Sequence, residues 1–420
     1  MATSPSARIV IRGGTPLRGC VTVSGSKNAS LYALAATLLS PDTVTIHNVP
    51  EIADTGEMCA LLEALGARTR IEGTTVTIEA ADLTQTFAPY DLVASTRASF
   101  LVMGPLLARM GEAGCPPPGG DVIGVRPLDV HLAGFRALGA TVEREGGNWV
   151  ARSPKLEGTR IFLDYPSVLG TVNVLFAATL AHGTTTIVNA AAEPEVQMVA
   201  DMLNAMGARI TGHGTGIVSV EGVERLHGAE FTVIPDRIEA GTYLLAGVAT
   251  GGSIEVQGAR PDHLDSLLAK LREANVEVET TDGGIRATNR GRLDPVQFQA
   301  VPYPGFATDL HAPMAAMLTQ AQGVSIVHER VFDNRLLYVA ELRTMGARLT
   351  TGGQAVMIEG PSKLIGAHVR ALDVRAGAAV VIGGLCAEGE TEIRDVVHID
   401  RGYANLVPRL KSLGADIERR

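Results

Sequence analysis

The sequence predicts an α/β protein assembled from six copies of one helix-and-strand unit. A helix end followed directly by the start of a strand recurs along the whole chain, and each of these turns carries Gly or Asn. Both residues tolerate the left-handed conformation that closes many helices. The six turn residues are Gly66, Gly139, Gly207, Asn275, Gly346 and Gly414. One backbone geometry used six times indicates an internally repeated fold.

A leucine follows most of these turns by 17 to 19 residues and is predicted to open a further strand. The leucines are Leu83, Leu156, Leu226, Leu293 and Leu364. After Gly414 the sequence ends before such a leucine can appear, whereas Leu17 has no helix before it. We therefore expect roughly the first 25 residues to complete the sixth unit, so that one domain contains both chain ends.

Six segments rich in Ala, Leu and Val are typical of helices buried along most of their length. Each begins at a polar or charged residue, and these residues lie 66 to 72 positions apart. They are Lys27, Arg97, Ser167, Arg237, Asp309 and Arg375. Capping alone explains Ser or Asp at a helix start, but Lys and Arg oppose the helix dipole. We interpret the cationic starts as ligands for an anion bound between two three-unit halves.

Bulk composition limits the classes of function. The 420 residues suffice for two domains, and the net charge of −9 argues against broad nucleic-acid binding. No segment is apolar over the roughly 18 residues that a membrane span requires. The amino terminus lacks the apolar core of a signal peptide. We expect a cytoplasmic monomer that binds neither nucleic acid nor membrane.

Metal and nucleotide-cofactor motifs are missing from the sequence. The four cysteines are scattered without a CxxC pair, and the ten histidines show no ligand spacing. The sequence contains no GxxxxGK[ST], GxGxxG or HExxH motif. We expect neither a metal nor a cofactor.

Residues 109–121 form a stretch dense in Pro and Gly between two regular elements. Such a loop can act as a lid over a site, and a plain surface connector explains the composition equally well. Arg126 follows this loop, and Arg335 and Arg401 lie in two other short breaks between periodic segments. A single arginine of this kind is more often a surface residue than a ligand. Its recurrence at equivalent turns favours a shared role.

Nine motifs resemble those of UDP-N-acetylglucosamine enolpyruvyl transferases, and the likeness runs from about residue 8 to the carboxyl terminus. They are SGSKNAS, STRASF, PPGGDVIGVRPLDVH, YPSV, NAAAEPE, IPDRIEAGT, TDLHA, FDNR and HIDRGYANL. The resemblance implies an inside-out α/β barrel, the enolpyruvyl transferase fold, with two domains of three βαβαββ units each. Domain one would comprise residues 27–234 and carry the 109–121 loop, and domain two would comprise residues 1–26 and 235–420.

The resemblance also implies a reaction and its substrates. The enolpyruvyl group of phosphoenolpyruvate would pass to the 3-hydroxyl of UDP-N-acetylglucosamine, with release of phosphate, as the first committed step of peptidoglycan synthesis. The implied phosphoenolpyruvate site consists of Lys27, Asn28, Arg126, Arg335, Arg375 and Arg401. The implied nucleotide-sugar site consists of Asn28, Arg97, Arg126, Pro127, Leu128, Asp129, Val130, Ser167, Val168, Asp309 and Val331. Arginine suits such ligands because it binds phosphate and carboxylate through paired hydrogen bonds.

The implied catalytic residues are Asp121, Lys27, Asp309 and Arg401, with Asp309 as the base for the sugar hydroxyl. Most family members carry a cysteine as the general acid after the PPGG motif, but this sequence has Asp121 there, and Cys115 lies outside the motif. Aspartate is ordinarily ionised at neutral pH, so desolvation on closure would have to keep it protonated. A carboxylate is also a weaker nucleophile than a thiolate. The resemblance therefore implies resistance to fosfomycin, which alkylates the family's cysteine.

Three other functions stay open at the level of the sequence. The sister enzyme that acts on shikimate 3-phosphate typically has SKS at the first helix and a GNAGT-like run. This sequence has Ser26-Lys27-Asn28 and no such run. A non-catalytic sugar-nucleotide sensor on the same scaffold would not need Asp121 and Asp309 together with the arginines. A purely structural repeat protein would give no reason for cationic helix starts.

Overall fold

A computed structural model describes residues 7–94, 96–121, 123–124 and 127–420. The chain divides into two compact units. Unit A comprises Gly25–Asp121 and Arg126–Ile234, and unit B comprises Met1–Ser24, Val122–Val125 and Pro235–Arg420. Each unit encloses one large apolar core of its own.

Short strands make up the sheets of both units. In chain order they are β1 (Ile9–Arg12), β2 (Arg18–Thr22), β3 (Val44–His47), β4 (Arg68–Glu72), β5 (Thr75–Glu79), β6 (Glu112–Cys115), β7 (Thr141–Glu145), β8 (Asn148–Arg152), β9 (Arg160–Phe162), β10 (Thr184–Val188), β11 (Arg209–Thr211), β12 (Ile217–Glu221), β13 (Glu230–Thr232), β14 (Ser253–Gln257), β15 (Val276–Thr281), β16 (Gly284–Asn289), β17 (Gln297–Ala300), β18 (Gly323–Glu329), β19 (Arg348–Gly352), β20 (Ala355–Gly360), β21 (His368–Arg370), β22 (Glu390–Arg394) and β23 (Asp416–Arg419).

Helices connect these strands. In chain order they are α1 (Lys27–Ala36), α2 (Ala53–Ala64), α3 (Tyr90–Val93), α4 (Met103–Met110), α5 (Asp129–Ala137), α6 (Val168–Thr179), α7 (Pro194–Ala205), α8 (Arg237–Ala249), α9 (Asp265–Glu273), α10 (Thr308–Leu318), α11 (Tyr338–Thr344), α12 (Val374–Cys386), α13 (Val397–Asp400) and α14 (Leu406–Ser412). Three further segments, Thr37–Leu39, Arg97–Val102 and Pro261–His263, are 3₁₀-helical.

The sheets share one arrangement. Unit A contains the orders β13-β3-β5-β4, β11-β12-β10-β9 and β6-β8-β7, and unit B contains β15-β16-β14-β2, β17-β18-β20-β19 and β21-β22-β1-β23. In each four-stranded sheet the strand that follows a buried helix pairs in parallel with an outer strand, and the other pairs are antiparallel. In the three-stranded sheet, a parallel bridge between Phe87 and Gly114 takes the place of the outer strand.

The six turn residues after the outer helices all adopt positive φ, from 62° at Asn275 to 109° at Gly66. This confirms the repeated helix end predicted from the sequence. The prediction for the leucines was slightly wrong, because they do not open the outer strands. They lie four residues before them: Leu156 precedes β9, and Leu226 precedes β13. Leu156 and Leu226 are buried, so the leucine anchors the approach to the strand in the core.

The first and last described strands lie in one sheet of unit B. Strand β1 pairs antiparallel with β23, with Ile9 opposite Arg419. The backbones of Arg8 and Arg420 exchange two hydrogen bonds of 2.9 Å each. Strand β2 completes a different sheet of the same unit by pairing with β14.

The helices α1, α4 and α6 of unit A and α8, α10 and α12 of unit B form the centre of each core. Their residues are buried on nearly all sides, as their apolar composition predicts. Within the described part of the chain, no helix is long and apolar enough to cross a membrane.

The prediction of a loop over residues 109–121 was wrong for its first part. Arg109 and Met110 end α4, and Glu112–Cys115 form β6, which pairs with β8. The irregular segment therefore starts at Pro116. Glycine misled the prediction, because Gly114 sits in a strand where an added Cβ would overlap the ring of Phe87. Such a close approach is one of the reasons for glycine inside a strand.

Candidate active site

The structure confirms that helical segments begin at the six predicted positions. Lys27 and Arg237 are first residues of their helices, Asp309 and Arg375 are second residues, Arg97 opens a 3₁₀ segment before α4, and Ser167 caps α6. Three of the cationic residues follow a capping side chain, because Ser26, Asp236 and Asp373 accept backbone N–H groups of the first turn.

In unit A, Lys27 is paired with a carboxylate that sequence reasoning missed. Its Nζ lies 2.8 Å from Oδ2 of Asp54, in the first turn of α2. The Asp54 side chain is completely buried, and that of Lys27 is 13% exposed. The cation at this helix start is therefore explained in part by its ion pair with Asp54, and not only by a bound anion. A buried carboxylate at this distance fixes the position of the ammonium group through a charge-assisted hydrogen bond.

A second group in unit A brings together several residues of the implied nucleotide-sugar site. Nη2 of Arg97 donates to the carbonyl of Pro127 over 3.2 Å. Val130, in the first turn of α5, packs against Gly170, where an added Cβ would meet both Val130 and Ser167. Oγ of Ser167 accepts the N–H of Gly170 at 3.2 Å, so Ser167 also serves as a helix cap. Leu128, Asp129 and Val168 lie in the same two helix starts.

A buried polar network joins α5 and α6 to each other and to the segment before them. Nδ2 of Asn173 contacts Nδ1 of His131 at 3.0 Å and donates to the carbonyl of Phe100 at 2.9 Å, and its Oδ1 accepts the N–H of Gly104 at 2.7 Å. Burial, assisted by the charge of Arg97, lowers the pKa of His131 to about 3. The imidazole is therefore neutral at physiological pH.

Asp121 lies at the end of the Pro/Gly segment and is half-buried. Two glycines before it fix the backbone. An added Cβ on Gly119 would overlap the carbonyl of Ala94, and Gly120 has a φ of 105°. Cys115, which the sequence places outside the motif, is buried in β6, and burial raises the pKa of its thiol well above the ordinary range. Cys115 is thus an inert core residue.

Arg126 lies outside the described residues. Asn28 is the second residue of α1 and is half-buried. Arg401 directly follows the short helix α13 and is half-buried. Within the described segments, no group of three or more His, Cys, Asp or Glu side chains is arranged to hold a metal ion.

In unit B, Asp309 lies between two arginines. Nη2 of Arg335 is 2.7 Å from Oδ1 of Asp309, and Nε and Nη2 of Arg375 are 3.0 and 2.8 Å from Oδ2. The arginine side chains are only 3% and 6% exposed, whereas that of Asp309 is 25% exposed. The structure thus brings together three residues that are distant in sequence.

Both arginines of this trio are buried and contact an aromatic ring. Burial disfavours the charge of Arg375, but the combined interactions with Asp309, Tyr403 and Asp236 outweigh burial and raise the pKa of Arg375 above its usual range. The guanidinium also lies 5.5 Å from the ring centroid of Tyr403, and that of Arg335 lies 5.5 Å from the ring of Phe332. Nε of Arg335 is buried and has no hydrogen-bond partner among the residues that the structure describes. A buried donor of this kind requires an acceptor, which an ordered water or an atom of a ligand can supply.

A buried glutamate at the end of β18 adjoins this trio, and sequence reasoning missed it. Glu329 accepts hydrogen bonds from Thr308 and His311 of α10 and from the backbone N–H groups of Val331 and Phe332. Val331, a residue of the implied nucleotide-sugar site, is therefore tied by its N–H to the carboxylate that holds the start of α10.

Comparisons with known proteins agree with this arrangement. The sequence profile of the family of EPSP synthase (3-phosphoshikimate 1-carboxyvinyltransferase) matches residues 11–410. The crystal structure of the enolpyruvyl transferase NikO from Streptomyces tendae has a TM-score of 0.89 and 26% identity, covering 99% of each chain. EPSP synthase from Acinetobacter baumannii, at 17% identity, has a TM-score of 0.76 over 99% of this chain and 100% of its own. The protein is a transferase of the carboxyvinyltransferase class, and the predicted enolpyruvyl transferase fold is confirmed.

Curated relatives identify the family within this class of transferases. UDP-N-acetylglucosamine 1-carboxyvinyltransferase 2 of Carboxydothermus hydrogenoformans is 48% identical over 98% of this chain and 99% of its own. UDP-N-acetylglucosamine 1-carboxyvinyltransferase 1 of Staphylococcus aureus strain MRSA252 is 47% identical with the same coverage. The chain belongs to the UDP-N-acetylglucosamine 1-carboxyvinyltransferase family, as the motifs predicted.

Proposed function

We propose that the protein transfers the enolpyruvyl group of phosphoenolpyruvate to the 3-hydroxyl of UDP-N-acetylglucosamine, releases phosphate, and serves peptidoglycan synthesis. The observation that carries the proposal is Asp309, held at the start of α10 between Arg335 and Arg375. This trio offers a partly exposed carboxylate that can accept a proton, next to two fixed cations that can bind an anion. The family names of the relatives agree with these substrates.

The charge of the trio suits phosphoenolpyruvate, which carries both a phosphate and a carboxylate. Arg335 and Arg375 place two buried guanidinium groups beside the partly exposed carboxylate of Asp309. The attraction of these groups to an anionic ligand is weakly screened in a buried setting. Nε of Arg335 has no acceptor among the described residues and can donate to one oxygen of phosphoenolpyruvate. Lys27, Asn28, Arg126 and Arg401 complete the proposed phosphoenolpyruvate ligands by the family resemblance.

The proposed nucleotide-sugar residues of unit A are grouped around the starts of α5 and α6. Helix starts offer backbone N–H groups and partial positive charge to phosphate oxygens, and Arg97 adds a full charge. Pro127 to Val130, Ser167 and Val168 contribute backbone and side-chain contacts. In unit B, Val331 is assigned to the same substrate by resemblance.

In the proposed reaction Asp309 takes the proton of the 3-hydroxyl, whose oxygen forms a bond to C2 of phosphoenolpyruvate. C3 takes a proton from Asp121, so a tetrahedral ketal phosphate results. A proton then leaves C3 for the carboxylate of Asp121, and the C2–O bond to phosphate breaks, which restores the C=C bond and releases phosphate. Lys27, Arg375 and Arg401 stabilise the phosphate and carboxylate charges throughout.

Phosphate release with each acceptor tests the proposal. Wild type should release phosphate from phosphoenolpyruvate with UDP-N-acetylglucosamine and not with shikimate 3-phosphate. Asp121→Ala and Arg401→Ala should each lose at least about 100-fold in kcat. Release with shikimate 3-phosphate instead would favour the sister activity, and binding of the nucleotide sugar without turnover would indicate a sensor.

We also propose that Asp121 is the general acid and that the protein resists fosfomycin. A carboxylate attacks the epoxide far more slowly than a thiolate. Intact-mass spectrometry after incubation with fosfomycin should show no adduct on wild type and one adduct on Asp121→Cys. Because Cys115 is buried, it should stay unmodified in both proteins. An adduct on wild type would contradict the assignment.

A further inference from the structure

We propose that Glu329 is a positioning residue that sets the place of Asp309 for proton transfer. The proposal rests on the proposed function of Asp309 as the base. Glu329 is 1% exposed and lies at the end of β18. It is buried, so it can act on the substrates only through the residues that it holds.

Each oxygen of the Glu329 carboxylate holds a different segment. Oε2 accepts the hydroxyl of Thr308 at 2.8 Å and contacts Nδ1 of His311 at 3.0 Å, both in the first turn of α10. Oε1 accepts the backbone N–H of Val331 at 2.7 Å and of Phe332 at 3.2 Å. One carboxylate therefore joins the start of α10 to the segment that follows β18.

The two joined segments carry the proposed chemistry. Asp309 lies between Thr308 and His311 in the first turn of α10. Arg335 follows Phe332 by three residues and pairs with Asp309 over 2.7 Å. The carboxylate of Glu329 and this ion pair thus link the same two segments at separate points. The link through Glu329 holds the start of α10, and with it the backbone of Asp309, while Arg335 and Arg375 hold the carboxylate itself.

Protonation states follow from the surrounding donors. The hydroxyl of Tyr338 lies 3.1 Å from Nε2 of His311, and burial raises the pKa of this phenol, so it stays a donor. Nε2 then accepts, which leaves the proton of the neutral ring on Nδ1, directed at Glu329. Burial disfavours the charged form of both groups. It lowers the pKa of His311, whereas the hydrogen bonds from His311, Val331 and Thr308 outweigh burial and lower the pKa of Glu329.

An amide cannot replace this carboxylate. Both oxygens of Glu329 receive donors, two on each, and glutamine offers one acceptor oxygen and one NH₂ group. In a Glu329→Gln variant the NH₂ would face either Thr308 and His311 or the two backbone N–H groups. One of the two segments must then move away, although side-chain volume is unchanged. Buried donors left without an acceptor shift or unfold the segment that bears them.

The experiment compares Glu329→Gln with Ser325→Ala, a matched change in the same strand. Ser325 is also buried, and its Oγ accepts the N–H of Val296 at 3.1 Å. Glu329→Gln should lower kcat for phosphate release about 30-fold while the KM for phosphoenolpyruvate changes less than about threefold. Thr308→Val, which removes one donor only, should lower kcat about threefold. Ser325→Ala should lower the thermal unfolding midpoint and leave kcat within twofold of wild type.

Two results separate the possible failures. If wild type releases phosphate and Glu329→Gln matches Ser325→Ala in kcat, the positioning role is wrong and the proposed function stands. If wild type shows no turnover with UDP-N-acetylglucosamine, the proposed function itself fails. Should Glu329→Gln not fold, Thr308→Val still decides the question, because an unchanged kcat in that variant would also overturn the role of Glu329.

Discussion

Units A and B both hold a carboxylate against a cation at the start of a central helix, but the two clusters differ in charge and exposure. In unit A, Lys27 and Asp54 contribute one charge of each sign, and the Asp54 side chain is fully buried. In unit B, Asp309 faces Arg335 and Arg375, and a quarter of its side chain is exposed. The difference separates a carboxylate that orients a cation from one that can itself reach a substrate.

The buried histidines of the two units also differ in the charge of their partners. His131 of unit A contacts the neutral amide of Asn173, whereas His311 of unit B faces the carboxylate of Glu329. A proton added to His311 would gain an ion pair, and one added to His131 would gain none. The contact of His131 is therefore between neutral groups, whereas that of His311 is with a carboxylate that adjoins the proposed base.

Replacing Asp309 should have the largest effect. Asp309→Asn keeps the size of the side chain and removes the acceptor for the hydroxyl proton. We expect kcat to fall about 1,000-fold, measured as phosphate release at saturating substrates. Thermal unfolding of the same preparation shows whether the protein stays folded. A variant with a normal melting curve and near-normal kcat would remove Asp309 from the chemistry.

Asp54→Asn should have a smaller effect, because Asp54 acts only by orienting Lys27. We expect a loss of about 30-fold in kcat/KM for phosphoenolpyruvate. The same phosphate-release assay, run at varied phosphoenolpyruvate, gives this ratio. A loss as large as that of Asp309→Asn would show that the clusters of the two units do not differ in role.

Arg375→Lys keeps the charge of the unit B cluster and removes the paired contact of Nε and Nη2 with Asp309. Hydrogen bonds between charged groups are worth about 1.5 to 3 kcal/mol, so we expect the KM for phosphoenolpyruvate to rise about tenfold. Arg394→Lys is the matched control, because Arg394 pairs with Glu392 at an exposed site. Equal KM values for the two variants would indicate that charge alone suffices at Arg375.

The smallest effect concerns stability against acid in unit A. The pKa of His131 is lowered to about 3 by burial, so below pH 6.5 the unfolded chain takes up a proton that the folded chain does not. Keeping His131 neutral therefore costs no free energy of unfolding above pH 6.5. Below pH 6.5 the free energy of unfolding falls as the pH falls. Between pH 6.5 and 5.5, wild type should lose about 1 kcal/mol more than His131→Asn in denaturant unfolding. Equal losses in both proteins would show that His131 does not govern this pH dependence.

Repetition made the fold predictable from the sequence. The six helix ends each require a residue in the left-handed conformation, and the Gly or Asn at these positions, such as Gly66 and Asn275, predicts it from the local sequence. The helix starts were equally predictable, because charged residues such as Lys27 and Arg375 begin apolar segments at regular distances. The strand at Glu112–Cys115 was missed because its glycine serves a contact with Phe87 that is absent from any local pattern.

The supporting carboxylates could not be found in the same way. Asp54 looks like an ordinary acidic residue in the first turn of a helix, and its partner Lys27 lies in another helix. Glu329 ends a strand in which its side chain faces the core, and no short motif marks it. Only the fold brings Asp54 beside Lys27 and Glu329 beside the start of α10. The histidine in TDLHA was the one local signal of the network around Glu329.

The pairing of β1 with β23 has a consequence for how the protein forms during translation. Most of unit A is contiguous in sequence, so it can fold while the ribosome is still adding residues. Strand β1 precedes unit A in the chain, yet its partners β22 and β23 both follow unit A. The sheet cannot cover the side chains of Ile9 and Ile11 until those strands have been synthesised, so unit B completes its fold after unit A.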